Sequence, residues 1–416
     1  MAVSRRTFLG GVAAIPVAAR LDGLNLISAS SRRVVVVGAG AFGGWTALQL
    51  RRLGAQVTLV DAWGPGNVRS SSGGETRVIR AIYGPDRLYV EMVKRAYELW
   101  EQLDAATDDP LYVETGALWL HRGDDSYVRS SLPILEALGF PVDNFTIPDA
   151  VKKYPQINFA GIRSVWFERR AGALSARRAC LAVLEQFEKA GGNYRVGHAE
   201  PGAIANGSMS SIRLADGSQI EADAYVFACG PWLGRVFPDV IGESVRSTRQ
   251  EVYYFGTPRG SNRYLPASFP VWIDFGERIV YGIPDVHGHG FKLADDTRGE
   301  PFDPTDGDRR PTEQGIARAR KLLAERFPEL AKAPLVRSEV CQYENSPDGS
   351  LILDRHPGAA NVWLLGGGSG HGFKLSPAVG EMTAGAILAG NEPPEMFRLA
   401  RLRDAKKPKT QFDSKG

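Results

Sequence analysis

The stretch from Arg33 to Asp61 constrains the fold more than any other part of the chain. It begins with a continuous β-branched run, RVVVV, which is typical of a strand buried on both faces. The turn GAGAFG follows, then a helical pattern that ends at Gly54, then a second apolar run that ends in Asp61. This order of strand, GxGxxG turn, helix, strand and acid predicts a dinucleotide-binding βαβ unit.

Each glycine of that turn has its own expected task. Gly38 permits the tight turn, Gly40 lets the backbone approach a pyrophosphate, and Gly43 lets the helix pack on the strand. The helix amino end, which includes Phe42, faces the phosphates because its N–H groups and dipole attract anions. Asp61, 23 residues after Gly38, is placed to accept ribose hydroxyl groups. A glycine turn in another kind of βαβ unit is the alternative.

Chain length and charge limit the classes of protein to consider. At 416 residues the chain exceeds one ordinary core, so two domains or one large domain with an insertion are expected. The 50 basic and 47 acidic residues leave a net charge of +3, which gives no reason to expect nucleic acid or an anionic membrane as a partner. The sequence also predicts no stable membrane insertion, because it has no apolar stretch of spanning length.

The order of elements predicts the architecture. Runs typical of buried parallel strands occur near both ends and in the middle of the chain, whereas residues 246–293 alternate and carry many aromatic side chains. The expected fold class is α/β (α+β overall): a discontinuous Rossmann-like dinucleotide domain with an inserted antiparallel β-sheet substrate domain. The dinucleotide domain takes residues 31–90, 165–245 and 340–395, and the substrate domain takes 91–164 and 246–339. The charged tail 404–416 is expected to be disordered.

Residues 1–30 are predicted to be an export signal. Arg5 and Arg6 precede a short, weakly apolar run, which matches a twin-arginine signal. The sequence therefore predicts a periplasmic or extracellular protein and the twin-arginine export machinery as a partner. A disordered leader with two incidental arginines is the alternative, and the cleavage site stays open between Ala19 and the segment 28–30.

The chain has 3 cysteines, which is too few for a disulfide framework. Cys180 lies in a helical pattern and Cys229 in a strand pattern, so both are expected to be buried, inert thiols. Cys341 differs, because it starts a polar run, CQYENSPDG, that ends in a turn. Its purpose is not evident from composition.

Several separated motifs resemble the glycine/D-amino-acid oxidase superfamily of flavoproteins, and within it the monomeric sarcosine oxidase and N-methyltryptophan oxidase family. The resemblance implies FAD, covalent attachment of the flavin, amine oxidation and the inserted-domain architecture. The motifs extend from residue 33 to about 390 and together are far more specific than GxGxxG alone; they are the βαβ unit, SSSGGETRVIRAIYG (70–84), ADAYVFACGPW (222–232), YGIPDVHGHGFKL (281–293), CQYENSPDGSLILDRHP (341–357) and GGGSGHGFKLSPAVGE (366–381).

The resemblance implies a set of cofactor-binding residues. In the family, a cysteine in the place of Cys341 is bonded through sulfur to the flavin ring, which requires a nucleophilic sulfur. An ordinary buried cysteine with non-covalent FAD is the alternative. Besides the glycine turn, Phe42 and Asp61, the residues expected to bind FAD are Ser71, Ser72, Thr76, Arg77, Val196, Gly230, Trp232, Cys341, Gly368, Gly370, His371, Gly372 and Lys374.

Two arginines and a lysine are expected near the substrate. By resemblance, Arg77 lies against the flavin, and Arg80 binds the substrate carboxylate through its planar, permanently charged fork. Lys374 lies in a glycine-rich loop that leads into a helix with Pro377 in its first turn. It is expected to help hold the carboxylate and to add positive charge near the flavin. Structural ion pairs are the alternative for each arginine, and a solvated position is the alternative for the lysine.

The motif HGFKL contains Lys292, which matches the family lysine on the side of the flavin where oxygen reacts. A cation there stabilises negative charge developing on O₂. Four residues later, Asp296 stands where the sarcosine oxidases carry histidine, and Gly73 stands where the family often has histidine. Tyr281 and Tyr343 match active-site tyrosines that orient an amine, although core packing is an alternative for Tyr281.

The expected function is flavin-dependent oxidation of a secondary or N-methylated amino acid, or another carboxylate-bearing amine, by O₂ to an imine and hydrogen peroxide. One alternative is a dehydrogenase of the same fold that passes electrons to a periplasmic carrier. A second is a non-catalytic FAD-binding protein, and a third is an NAD-binding Rossmann protein. No metal site is expected, because the loop histidines His287 and His289 have no third ligand in the sequence pattern.

Overall fold

The computed structural model describes residues 31–403 and 409–412. The predicted export signal at residues 1–30 lies outside the described residues, as do 404–408 and 413–416 of the predicted tail. Within the described part, no helix is both long enough and apolar enough to cross a lipid bilayer.

The described strands, in chain order, are β1 (Arg33–Val37), β2 (Gln56–Asp61), β3 (Thr76–Ile79), β4 (Tyr112–Glu114), β5 (Ala117–His121), β6 (Val142–Phe145), β7 (Ser164–Glu168), β8 (Gly172–Ser175), β9 (Asn193–Val196), β10 (Ala199–Pro201), β11 (Ile204–Ala205), β12 (Ser208–Met209), β13 (Ser211–Leu214), β14 (Gln219–Glu221), β15 (Ala224–Phe227), β16 (Arg246–Phe255), β17 (Val271–Phe275), β18 (Ile279–Ile283), β19 (Phe291–Asp295), β20 (Leu335–Asn345), β21 (Ile352–His356) and β22 (Ala359–Gly366).

The described α-helices are α1 (Ala41–Arg52), α2 (Arg87–Asp104), α3 (Ser126–Leu138), α4 (Ile147–Lys153), α5 (Ala176–Lys189), α6 (Leu233–Val236), α7 (Glu313–Arg326) and α8 (Ser376–Ala389). Short 3₁₀ turns occur at Gly230–Trp232, Gly242–Ser244, Pro328–Leu330, Phe373–Leu375, Glu395–Phe397 and Leu399–Arg403.

A six-stranded sheet contains the predicted βαβ unit. Its strand order is β21-β22-β15-β1-β2-β9, and all neighbours are parallel except β21 and β22. In β1, Val34 and Val36 face the core that α1 and α8 cover, whereas Val35 and Val37 face a second apolar cluster on the other side. The prediction that β1 is buried on both faces is therefore confirmed.

The turn between β1 and α1 has the geometry that its glycines predict. Gly38 has φ +105°, a left-handed conformation that residues with a side chain rarely adopt. A Cβ atom on Gly43 would lie 1.8 Å from the carbonyl oxygen of Gly38, so the turn and helix approach more closely than any side chain allows. The helix amino end is thereby held close to the carboxyl ends of β1 and β15.

An eight-stranded sheet forms most of the second unit, in the order β20-β16-β19-β18-β17-β5-β7-β6. The expected antiparallel pairing holds for every pair except β5 with β17, which is parallel. The predicted domain boundary at 164/165 falls after the first residue of β7, and the one at 339/340 divides β20; both strands belong to this sheet. Side-chain alternation indicates a strand, but it does not tell which sheet the strand joins.

Three small sheets complete the fold. One, β3-β8-β4, contains Thr76–Ile79 of the motif SSSGGETRVIRAIYG, and Arg80 follows directly after β3. A second, β10-β13-β14, contains a hairpin in which β13 pairs antiparallel with β14 across the turn that contains Gly217. The third, β11-β12, is a two-stranded hairpin.

Part of the predicted disordered tail instead lies against the molecule. The backbone N–H of Lys409 donates to the carbonyl of Pro347 at 2.8 Å. The ring of Phe412 packs at 5.2 Å on the ring of Phe275 in β17. The prediction of disorder was based on the charged composition of the segment. Composition does not show that Phe412, an aromatic residue within it, packs on another aromatic ring of the fold.

Candidate active site

An elongated cavity of about 710 Å³ runs from the glycine turn towards the eight-stranded sheet. This volume lies within the roughly 300–1,000 Å³ that is usual for small-molecule and cofactor sites. The predicted cofactor-binding residues that line it are Gly38, Gly40, Phe42, Asp61, Ser71, Ser72, Arg77, Gly230, Trp232, Gly368, Gly370 and Gly372.

Asp61 lies where the ribose of a dinucleotide is expected. Its Oδ2 accepts the N–H of Ala39 at 2.7 Å, and its Oδ1 accepts those of Trp63 and Gly64 at 2.8 and 2.7 Å. Burial raises the pKa of this carboxyl, and the three backbone N–H groups oppose that rise. A carboxylate has about four lone-pair positions, so one remains for a ribose hydroxyl.

Unpartnered polar atoms in the cavity test whether FAD fits. The Ser71 hydroxyl and the Oε2 atom of Glu344 are buried and have no hydrogen-bond partner within the described structure. The other oxygen of Glu344 accepts the N–H of Gly368 at 3.0 Å, and burial raises the pKa of this side chain to about 7. Buried polar groups without partners are costly, so a ligand rich in hydroxyl, amide and phosphate groups suits this cavity. FAD is such a ligand.

A second, smaller cavity of about 70 Å³ adjoins the first. Four residues line both cavities: Arg77, Tyr343, Gly370 and Phe373. The small cavity is also lined by four residues of the predicted substrate and catalytic set, Arg80, Tyr281, Asp296 and Lys374, and by the predicted cofactor-binding residues Cys341 and His371. The structure thus brings together two predicted groups of residues that are far apart in sequence.

Cys341 lies on β20, where it pairs with Gln250 of β16. The Nη2 atom of Arg77 lies 3.4 Å from its sulfur. The same guanidinium donates to the backbone carbonyls of Ser71 and Thr76 at 3.0 and 2.9 Å, and these bonds hold it in place. A fixed cation beside a sulfur is the arrangement found around nucleophilic cysteines.

Lys292 on β19 is fully buried beside Arg77. Its ammonium donates to the carbonyl of Thr76 at 2.6 Å and lies 5.6 Å from the centre of the Tyr281 ring. Burial, and secondarily the positive charge of Arg77, lower the pKa of Lys292 to about 7. Thr76 therefore acts through its backbone, because its carbonyl binds both cations while its side chain lines neither cavity.

Arg80 and Lys374 form a buried positive region at the small cavity. Arg80 lies 4.6 Å from the centre of the Tyr83 ring, and one of its N–H groups donates to the side chain of Gln411 at 2.6 Å. Lys374 donates to the hydroxyl of Tyr83 at 3.1 Å and to the carbonyl of His371 at 2.9 Å. Burial, and then the charge of Arg80, lower the pKa of Lys374 well below its usual value.

Asp296 supplies the negative charge opposite these cations. The hydroxyl of Tyr343 donates to its Oδ1 at 2.7 Å. Burial raises the pKa of Asp296 to about 6, although the Tyr343 hydrogen bond and the charges of Arg80 and Lys374 oppose this rise. Burial likewise raises the pKa of Tyr281 to about 12, so both tyrosines are neutral donors at ordinary pH.

Some predicted residues lie elsewhere. Val196 ends the edge strand β9 and is 68% exposed, so its side chain does not line the cavity, although the following Gly197 does. Gly43 acts through packing and does not line the cavity. At Gly73, a Cβ atom would lie 2.5 Å from the carbonyl oxygen of Asn67, so this loop conformation has no room for a side chain there.

Sequence reasoning missed four residues of the site: Tyr83, Glu344, Gln411 and Phe412. Tyr83 and Glu344 each lie inside one of the motifs that resemble the family. Their polar side chains, close in sequence to predicted site residues, could have marked them as candidates. The other two come from the predicted tail, where no pattern marks them.

The two loop histidines have separate partners. The Nε2 atom of His287 lies 3.2 Å from the Ser175 hydroxyl, and that of His289 lies 3.5 Å from Glu75. Over residues 31–403 and 409–412, no group of three or more potential metal ligands is arranged to hold an ion.

Comparison with known proteins agrees with this geometry. The family model for FAD-dependent oxidoreductases matches residues 33–386. Monomeric sarcosine oxidase from Bacillus sp. (strain B-0618) is 31% identical over 367 residues, which cover 86% of this chain and 92% of that protein. N-methyl-L-tryptophan oxidase from Salmonella enteritidis PT4 (strain P125109) is 27% identical over 383 residues, covering 88% and 98%.

Solved structures share the fold at lower identity. L-proline dehydrogenase from P. horikoshii superimposes with a TM-score of 0.77 at 21% identity, covering 90% of this chain and 98% of that one. Fructosamine oxidase (Amadoriase II) from Aspergillus fumigatus gives 0.74 at 22% identity, covering 89% and 90%. The family match spans most of the chain and one relative exceeds 30% identity, so this chain belongs to the FAD-dependent oxidoreductases, in the sarcosine-oxidase-like group that acts on C–N bonds.

Proposed function

We propose that this protein is an FAD-dependent oxidase of a secondary or N-methylated amino acid. The observation that carries the proposal is the small buried cavity, where Arg80 and Lys374 face Asp296 beside the cofactor cavity. A carboxylate and an amine on one small molecule match this pair of opposite charges. The names of the relatives, sarcosine oxidase and N-methyl-L-tryptophan oxidase, support the same substrate class.

The proposed reaction removes two electrons and two protons from the C–N bond of the substrate and delivers them to O₂ as hydrogen peroxide. Water then hydrolyses the resulting imine to a primary amine and a carbonyl compound. FAD, when bound, supplies the redox chemistry. The protein therefore has to orient the amine, keep it deprotonated and stabilise the negative charge that develops on O₂.

Arg80 and Lys374 are the groups that would bind the substrate carboxylate. Both are nearly fully buried, so their interaction with a carboxylate is little screened by water. Arg80 is held in position by Tyr83 and by the carbonyl of Ile82. Asp296 would attract the substrate ammonium and accept its proton, and the Tyr343 hydroxyl would hold the carboxylate of Asp296 in place.

We propose that Cys341 forms the covalent bond to FAD and that Lys292 supports reaction with O₂. Net, the new S–C bond would replace the S–H bond of Cys341 and one C–H bond of the flavin, and O₂ would take up the two electrons and two protons as hydrogen peroxide. The first proposal is supported by the Arg77 guanidinium at the sulfur. The second is supported by the position of Lys292 next to Arg77, at the carbonyl of Thr76. Both agree with the motifs that resemble the family.

A panel of amines and amino acids, with peroxide as the readout, tests the function. N-methyl and secondary amino acids should bleach the flavin and release peroxide, while the same amines without a carboxylate should react poorly. Flavin bleaching without peroxide under air would indicate a dehydrogenase. No spectral change with any member of the panel would contradict an enzymatic role.

Replacing Asp296 with asparagine is expected to remove the acidic limb of the pH profile. With a pKa of about 6, Asp296 is protonated and neutral below that pH, and kcat/KM should therefore fall as the pH drops through about 6. The asparagine variant should have a lower kcat/KM at pH 8, by about 10²-fold, and no such limb. Steady-state kinetics from pH 5 to 9 measure this, and an unchanged limb in the variant would assign the titration to another group.

A further inference from the structure

The last described residues of the chain are held against the substrate cavity. Besides the bond between Lys409 and Pro347, the guanidinium of Arg298 donates to the carbonyl of Lys409. The backbone of Thr410 lies against Gly349, within 3.1 Å of the position a Cβ atom would take there. These contacts come from the loop after β19, which contains Arg298, and from the turn after β20, so the segment joins two loops of the fold.

The side chain of Gln411 lines the cavity and contacts both of its charged groups, Arg80 and Asp296. Its Oε1 accepts from Nη2 of Arg80 at 2.6 Å, and its Nε2 lies 3.4 Å from Oδ2 of Asp296. One amide thus offers an acceptor to the cation and a donor to the anion. A bound amino acid would present its carboxylate and its amine to the same two groups.

Phe412 lies at the boundary between the small cavity and a large surface groove. Its ring packs edge-on at 5.2 Å against Tyr127 and against Phe275, and the Arg80 guanidinium lies 5.3 Å from its centre. It lines both the 70 Å³ cavity and a groove of about 1,470 Å³ on the outside. Thr410 lines the groove as well, whereas Gln411 lines only the inner cavity.

The inner cavity is small while this segment is in place. Its volume of about 70 Å³ is about a tenth of the 710 Å³ of the cofactor cavity. Two of the three anchor groups, Arg80 and Asp296, are at the same time bonded to Gln411, whereas Lys374 is not. A substrate that arrives from the groove therefore meets the Phe412 ring at the boundary, and two of its binding partners are already bonded to Gln411.

We propose that residues 409–412 form an intramolecular plug, and that substrate binds only when Gln411 releases Arg80 and Asp296. The proposal rests on the proposed function for the roles of those two residues. The apparent Kd of a ligand is then the Kd of the open state divided by the fraction of molecules that are open. Hydrogen bonds to charged partners are among the stronger ones, so removing the amide should tighten ligand binding about tenfold or more.

The test uses the full-length, FAD-loaded protein and a carboxylate that is not oxidised. Acetate is titrated at pH 7.5, and its binding is followed through the flavin absorption bands. In Gln411→Ala the acetate Kd should fall about tenfold or more, and a chain ending at residue 403 should behave in the same way. Gln102→Ala, an exposed glutamine on α2, is the matched control and should bind acetate as the parent does.

Acetate affinity that is unchanged or weaker in both Gln411→Ala and the shortened chain would overturn the plug. The test is independent of turnover, so it separates this inference from the proposed function. A protein that oxidises no amine can still show tighter acetate binding without the plug. An active oxidase whose acetate affinity is the same in all variants keeps its function and has no plug.

Discussion

Cys341→Ser is expected to reduce covalently bound flavin from about one per chain to none. The parent protein should stay yellow in the pellet after acid precipitation, whereas the variant should release its FAD into the supernatant. The reason is that Arg77 places a fixed positive charge 3.4 Å from the Cys341 sulfur, while a serine hydroxyl at this position is a much weaker nucleophile. The mass of the peptide that contains residue 341 measures the bond directly.

The two other cysteines provide matched controls. Cys229 lines the cofactor cavity, and burial raises the pKa of its thiol. Cys180 is buried in α5, and burial raises the pKa of its thiol to about 12. Cys229→Ser and Cys180→Ser should therefore keep the covalent flavin. Flavin that stays attached in Cys341→Ser, or is lost in Cys229→Ser, would place the bond elsewhere.

Lys292→Met is expected to slow the reaction of the reduced enzyme with O₂ by about 10²–10³-fold, the usual loss when one preorganised electrostatic donor is removed. Anaerobic reduction by substrate should change only a few-fold, since Arg80, Lys374 and Asp296 remain. The ammonium of Lys292, with a pKa of about 7, loses its charge as the pH rises. The oxygen reaction of the parent should therefore slow as the pH rises through about 7, and that of the variant should not. Stopped-flow measurement of the two half-reactions separates these effects.

Two variants control for loss of structure. Lys292→Arg keeps the positive charge and should recover part of the oxygen reaction. Lys332→Met changes an exposed lysine and should behave as the parent does. Equal losses in both half-reactions of Lys292→Met would mean that the lysine supports the local structure instead of the oxygen reaction.

Local sequence patterns predicted the elements of the cofactor domain well because their causes are local. Three such features lie within about 30 residues of one another: a β-branched run, a glycine at positive φ and an acid at the end of the next strand. Helix α7 is also set by a local cause, since the hydroxyl of Thr312 accepts the N–H of Gly315 at 3.0 Å and so caps the amino end of the helix. Sheet membership was harder to predict. The pairing of β5 with β17 joins residues about 150 positions apart, and no local pattern encodes a parallel direction there.

The sequence by itself determined the dinucleotide fold, the family and the chemical types of the site residues, because these depend on motifs whose spacing is short. Only the tertiary structure decided which charges meet. It placed Arg77 at Cys341, Tyr343 at Asp296, and Gln411 between Arg80 and Asp296. Each of these contacts joins segments at least 47 residues apart. Their geometry follows from how two sheets and the end of the chain pack, so it cannot be inferred from spacing along the sequence.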